Sequence, residues 1–147
     1  MIKENEISGY AVESITIIES RFSRTTKNIS KVKQDVDVDL DMHHTVTRNK
    51  AKCKLTAKVT VVSEKKEGDV LASVTITAYG VFKQRVKNPN IEIGDFAALN
   101  AYAIIYPFIR EHLSTLSLKA GMDVIMLPSV NFVAFLNNRK QQKSIDD

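Results

Sequence analysis

Polar and apolar residues alternate strictly in DVDVDLDM, where Asp35, Asp37, Asp39 and Asp41 share one parity and Val36, Val38, Leu40 and Met42 the other. Successive side chains of a strand point to opposite faces, so the segment predicts a strand with one charged and one apolar face. AKCKLTAKVTVV repeats the pattern, with Ala51, Cys53, Leu55, Ala57, Val59 and Val61 facing one way and Lys52, Lys54, Thr56, Lys58 and Thr60 the other. The polar HHTVTRN between the two predicts a turn. The resulting antiparallel hairpin sets an aspartate row beside a lysine row, and cross-strand pairs worth about 0.2–1 kcal/mol each would explain both rows without a ligand. After a turn built around Gly68, VLASVTITAYGVF predicts a further strand with Ala72, Val74, Ile76 and Ala78 on one face. AVESITIIESRFS predicts an earlier, less regular strand. RTTKNISKVKQ, whose only large apolar residues are Ile29 and Val32, predicts a long connection crossing the sheet.

The alternation ends at Gly94. Asp95 is placed to cap a helix, FAALNAYAIIYPFIREHLSTLSLKAG lacks strand alternation, and Gly121 is placed to stop it. The first half of this helix is apolar on nearly every side: Phe96, Leu99, Ala103, Ile104, Ile105, Tyr106, Phe108 and Ile109 do not fit on one stripe. A four-stranded sheet covers one side, so the remainder predicts burial by another subunit. Pro107 removes a backbone hydrogen bond at a cost of about 3 kcal/mol and predicts a kink between the apolar half and the more charged half from Arg110 onward. MDVIMLPSV reads as a loop. NFVAFLNNRKQQK predicts a second helix, fraying into a charged tail over residues 139–147.

Composition narrows the class. A chain of 147 residues suits one domain, and 44% hydrophobic with 26% charged residues excludes a wholly disordered chain. With Cys53 as the single cysteine there is no intramolecular disulfide and no cysteine cluster for zinc, which fits a reducing compartment. No signal-peptide pattern and no membrane-length apolar run occurs, so the expectation is a soluble, cytoplasmic protein with no membrane insertion. His43, His44 and His112 form no ligand or catalytic pattern, and the five glycines form no phosphate loop. No catalytic residue, metal site or cofactor is predicted. The net charge of +4 leaves nucleic acid as a remote alternative: Lys50, Lys52, Lys54 and Lys58 share a strand face, but no aromatic is expected to interleave with them on that face for base stacking.

Two stretches carry a family resemblance. GVF at 80–82 and AIIYPFIREHLSTLSLKAGMDVIMLPSVNFVAFLNN at 103–138 resemble the SecB family of bacterial export chaperones. The matching positions are Ile105, Tyr106, Pro107, Phe108, Arg110 and Glu111 in the helix, then Leu127, Pro128, Val130, Asn131, Phe132 and Ala134, with Phe135 where the family has leucine. The resemblance implies an α+β protomer with a four-stranded antiparallel sheet, a long kinked helix and a shorter C-terminal helix. It implies a homotetramer, a dimer of dimers around the long helices, with Phe96, Leu99, Ala103, Ile104, Ile105 and Phe108 at the interface. It further implies an ATP-independent holdase that keeps client polypeptides unfolded in an apolar groove. Carried onto this chain, the groove comprises Val36, Val38 and Leu40, then Ala72, Val74 and Ile76, with Ile29 and Val32 in its cover. Any of these could equally be ordinary core.

Export-type members of the family deliver clients to the SecA motor through an acidic patch on the exposed sheet face. Here the matching positions are Glu19, then Ser23, Ser73 and Thr75, so the patch is mostly absent and Glu19 is the one SecA-facing candidate. The alternative setting is a dedicated chaperone of an antitoxin in a toxin–antitoxin system.

Overall fold

The computed structural model describes residues 1–29, 32–64 and 69–146, with side chains through Arg139. The predicted turn around Gly68 and the middle of the predicted connection lie outside the described residues. Four strands, β1 (Tyr10–Arg24), β2 (Gln34–Val46), β3 (Lys50–Ser63) and β4 (Val70–Gln84), form one antiparallel sheet in the order β1-β4-β3-β2. Helices α1 (Ile93–Leu99) and α2 (Ala101–Lys119) cover one face, and α3 (Phe132–Asp146) follows an irregular stretch. The α3 backbone stays helical through Asp146, into the segment expected to fray. A short 3-10 turn at Glu4–Glu6 precedes β1.

Alternation in sequence becomes alternation in burial. Ala51, Cys53, Leu55, Ala57, Val59 and Val61 of β3 are all buried against the helix layer, while Lys52, Lys54 and Lys58 are exposed on the open face. The irregularity of β1 has a structural cause: its register to β4 shifts between Val12 and Ser14 and again between Ile17 and Glu19, inserting Glu13 and Ile18 as extra residues.

Two local expectations are corrected, and the long bent helix has a junction the sequence did not mark. HHTVTRN is not all turn, since β2 continues through His43, His44 and Val46, pairing with Lys54, Cys53 and Ala51. The reversal itself is confined to 47–49, where the Thr47 amide donates to the Lys50 carbonyl at 2.9 Å. Asp95 is not the N-cap, which falls at Glu92, and its carboxylate lies in the first turn near the unpaired amides. The long helix is interrupted at Asn100 (φ −111°, ψ −38°), and α2 runs through Pro107 as one helix. Asparagine is a poor helix former whose side chain competes for backbone groups, which favours such a junction.

The far end behaves as expected. Gly121 has φ +68°, and the Gly121 and Met122 amides donate to the Leu118 and Ser117 carbonyls, the paired bonds of a Schellman stop. Arg24 of β1 adds a bond to the Ala120 carbonyl at 2.8 Å, which ties the helix end to the sheet. Asn131 caps α3 through its side chain on the Ala134 amide at 3.1 Å.

Candidate functional site

The groove residues predicted on β2 and β4 occupy one face in three cross-strand rows. Val36, Val61 and Ala72 form one row, Val38, Val59 and Val74 the next, and Leu40, Ala57 and Ile76 the third. Burial then separates them. Ala72, Val74 and Ile76 are 1%, 3% and 0% exposed and have no surface left for a ligand. Leu40 and Ile29 are buried as well, at 4% and 7%. Val36 and Val38 stay half-buried because β2 is the sheet edge farthest from α2, and Val32 beside them is also half-buried. Met42, not predicted, extends this strip on the same side of β2. Its alternation with the aspartates was the available signal.

On α2 the residues split by helical phase. Tyr102, Ile105, Tyr106, Ile109 and Leu113 form a buried stripe against the sheet. Ile105 reaches Gly80, where even a Cβ atom would come within 2.8 Å of its Cδ1. Phe96 is likewise buried by its own chain, stacked on Tyr10 at 4.2 Å between ring centroids. These two therefore have no surface for a second subunit. Leu99, Ala103, Ile104 and Phe108 point outward and are exposed, with Phe108 at 49%. Arg110, between these two faces, sits over the Tyr106 ring at 5.9 Å, and its buried Nε has no hydrogen-bond partner.

The open face of the sheet differs from the expected ladder of ion pairs. Asp35, Asp37, Asp39 and Asp41 stand opposite Val62, Thr60, Lys58 and Thr56, so the register brings only one aspartate directly against a lysine. Among the described residues no aspartate of β2 forms an ion pair with a lysine of β3. Asp39 pairs instead with Arg139 of α3 at 3.3 Å, and the same guanidinium donates to the Leu40 carbonyl at 2.7 Å while lying over the Phe135 ring. Toward β1 the face dips into a cup of about 480 Å³ lined by Ile18, Glu19, Arg21, Lys54, Thr56, Lys58, Thr75 and Thr77. Glu19 is held by Arg21 at 3.1 Å. Tyr79 of β4 stands opposite Lys54, so the face does carry an aromatic, supplied by the neighbouring strand.

The remaining chemistry is quiet. Cys53 is fully buried, and burial pushes its thiol up to about 12. His44 bonds through Nδ1 to the Tyr102 hydroxyl at 2.8 Å, whereas His43 faces Lys54 on the open side. Burial, and then repulsion from His43, holds the His44 pKa below its ordinary value. Among the described residues no group of His, Cys, Asp and Glu is arranged to hold a metal, and no helix is long and apolar enough to cross a membrane. A second cleft, of about 610 Å³, lies between the N-terminal segment and the 85–91 loop, with Ile7, Ile91 and Phe96 among its walls. Nothing in the sequence pattern marked it.

A family model described as preprotein translocase subunit SecB matches residues 18–143. The chain belongs to the SecB family. The uncharacterized protein MJ0357 of Methanocaldococcus jannaschii is 22% identical over 139 residues, covering 94% of this chain and 86% of that one. Among solved structures, the Mycobacterium tuberculosis Rv1957 SecB-like chaperone, in complex with a ChAD peptide from the HigA1 antitoxin, superimposes with a TM-score of 0.69. The superposition covers 82% of this chain and 90% of that one at 11% identity, a shared fold with little shared sequence. The open antiparallel sheet, the long bent helix and the C-terminal helix are thus a SecB-like arrangement.

Proposed function

We propose that this SecB-like protein is an ATP-independent chaperone that holds non-native polypeptides along the helix-side edge of its sheet. The observation that carries this is the strip of Val32, Val36, Val38 and Met42, apolar side chains that the chain's own elements leave half covered. Fully burying a valine- or leucine-sized client side chain contributes about 1.5–3 kcal/mol, without directional demands. Three such contacts are of the same order as the cost of association, about 4–15 kcal/mol, so binding is broad and reversible. The rest of the predicted groove, Leu40, Ala72, Val74, Ile76 and Ile29, is buried core next to this strip.

The functional oligomer is a homotetramer in this proposal, with Leu99, Ala103, Ile104 and Phe108 supplying the apolar contact. Delivery to SecA and service to a single antitoxin remain two settings for the same groove. The antitoxin peptide bound by the Mycobacterium tuberculosis neighbour favours the second, as does the engagement of Glu19 by Arg21. A pull-down with a SecA C-terminal zinc domain separates them, because robust capture speaks for export.

The deciding experiment is aggregation of a chemically unfolded test protein diluted into buffer with the chaperone at an equimolar ratio. The wild type slows aggregation and Val38→Asp does not, while the variant keeps its circular dichroism spectrum. A wild type that leaves aggregation unchanged overturns the proposal.

A further inference from the structure

We infer that the open face of the sheet is a docking surface for an acidic polypeptide segment in extended conformation, separate from the helix-side strip. Lys52, Lys54 and Lys58 are exposed on this face and form no ion pair with any described residue. Across the hairpin only Lys58 stands opposite an aspartate, Asp39, which is engaged by Arg139; the other aspartates lie toward one end of β2 and the other lysines toward the opposite end of β3. The face is therefore zoned, with a cationic half and an anionic half.

The cup lies where the cationic half meets β4 and β1. It holds Lys54, Lys58 and Arg21 against one carboxylate, Glu19, which is already paired to Arg21. Its floor is made of Thr56, Thr75 and Thr77, of which Thr56 and Thr77 bond each other at 3.0 Å. Among the described residues no hydrogen bond engages the Thr75 hydroxyl, which leaves it available to a ligand. Ile18, extruded by the second bulge and 55% exposed, adds one apolar contact at the rim. The cup spans β3 to β1, two inter-strand spacings or about 10 Å, the width of one extended chain. Lys54 and Lys58 are about 13 Å apart along β3, so an extended segment with acidic side chains four residues apart addresses both.

A nucleic acid suits the surface less well. Tyr79 is a single aromatic, whereas unspecific single-strand binding needs successive stacking platforms. A phosphate backbone would carry a charge at every step beside the β2 aspartates, whereas a peptide with two spaced carboxylates places charge only at Lys54 and Lys58, and Asp39 opposite Lys58 is already held by Arg139.

This proposal does not depend on holdase activity. It is tested with a fluorescein-labelled peptide of alternating Glu and Thr, a Lys-for-Glu version of it, and a twenty-nucleotide single-stranded RNA, each titrated by fluorescence anisotropy. The acidic peptide binds the wild type and weakens as salt rises, as expected for exposed charges. Lys54→Glu with Lys58→Glu weakens it about tenfold or more, Lys54→Arg with Lys58→Arg retains it, and Thr75→Lys strengthens it. Thermal melts of these surface variants stay near wild type, and aggregation suppression by the double variant is unchanged. Equal binding of the acidic and basic peptides, or of wild type and double variant, overturns the proposal. So does RNA binding that exceeds peptide binding and disappears in the double variant.

Discussion

Two glycines and one histidine carry measurable consequences. Gly121 sits at φ +68°, a region in which an L side chain costs about 1–2 kcal/mol. Gly121→Ala therefore lowers the unfolding free energy by that amount, read as a lower urea midpoint at unchanged m. Gly80→Ala meets Ile105 Cδ1 at 2.8 Å and the Phe82 ring at 2.9 Å, and overpacking of this kind costs about 1–3 kcal/mol. Adding Ile105→Val removes the clashing methyl, so the double variant loses less than the sum of the singles in the same urea experiment. His44 titrates below its ordinary value because of burial first and His43 second. The unfolded chain then takes up the proton more readily, so stability is full above the ordinary histidine pKa of about 6.5 and falls as pH drops through the lowered folded value. Thermal melts from pH 7.5 to 5 show this decline, and His44→Gln reduces its slope.

At the scale of elements, Arg139 ties α3 to the sheet at two points, the Asp39 carboxylate and the Leu40 carbonyl, while its guanidinium lies over the Phe135 ring one turn earlier in the same helix. The carbonyl belongs to the free edge of β2, so the same side chain fastens the helix and satisfies an edge acceptor. Arg139→Ala is expected to speed amide exchange in α3 and around Leu40 while leaving β3 and β4 protected. Exchange that stays at the wild-type rate in α3 would show that Phe132, buried against Tyr102 and Tyr106, is anchor enough.

For the molecule as a whole, the sheet has two faces of different chemistry, one apolar and one charged, and the helix layer has an outward side that its own chain leaves bare. Leu99, Ala103, Ile104 and Phe108 make that side apolar at neighbouring positions, the kind of patch that marks an interface. Phe108→Glu places a charge there without touching the core. The expected result is a smaller particle by multi-angle light scattering with little change in protomer melting. A wild type already monomeric at micromolar concentration would reject the tetramer.

The periodicities are local properties, and the residues alone determined them: parity fixed which sides of β2 and β3 are apolar, helical spacing marked the α2 segment, and Gly121 marked its end. Even the extra residues of β1 left a trace as irregular alternation. Pairing and coverage are not local, and only the tertiary structure decided them. Ile104 and Ile105 are neighbours of identical chemistry, yet about 100° of helical rotation makes one a surface residue and the other a core residue. Val38 and Val74 share a row, but the position of α2 relative to the sheet edge leaves only Val38 accessible. The aspartate and lysine rows were both legible, but the register that slides them past each other is set by the whole hairpin. That register makes the open face a zoned surface instead of a ladder of ion pairs.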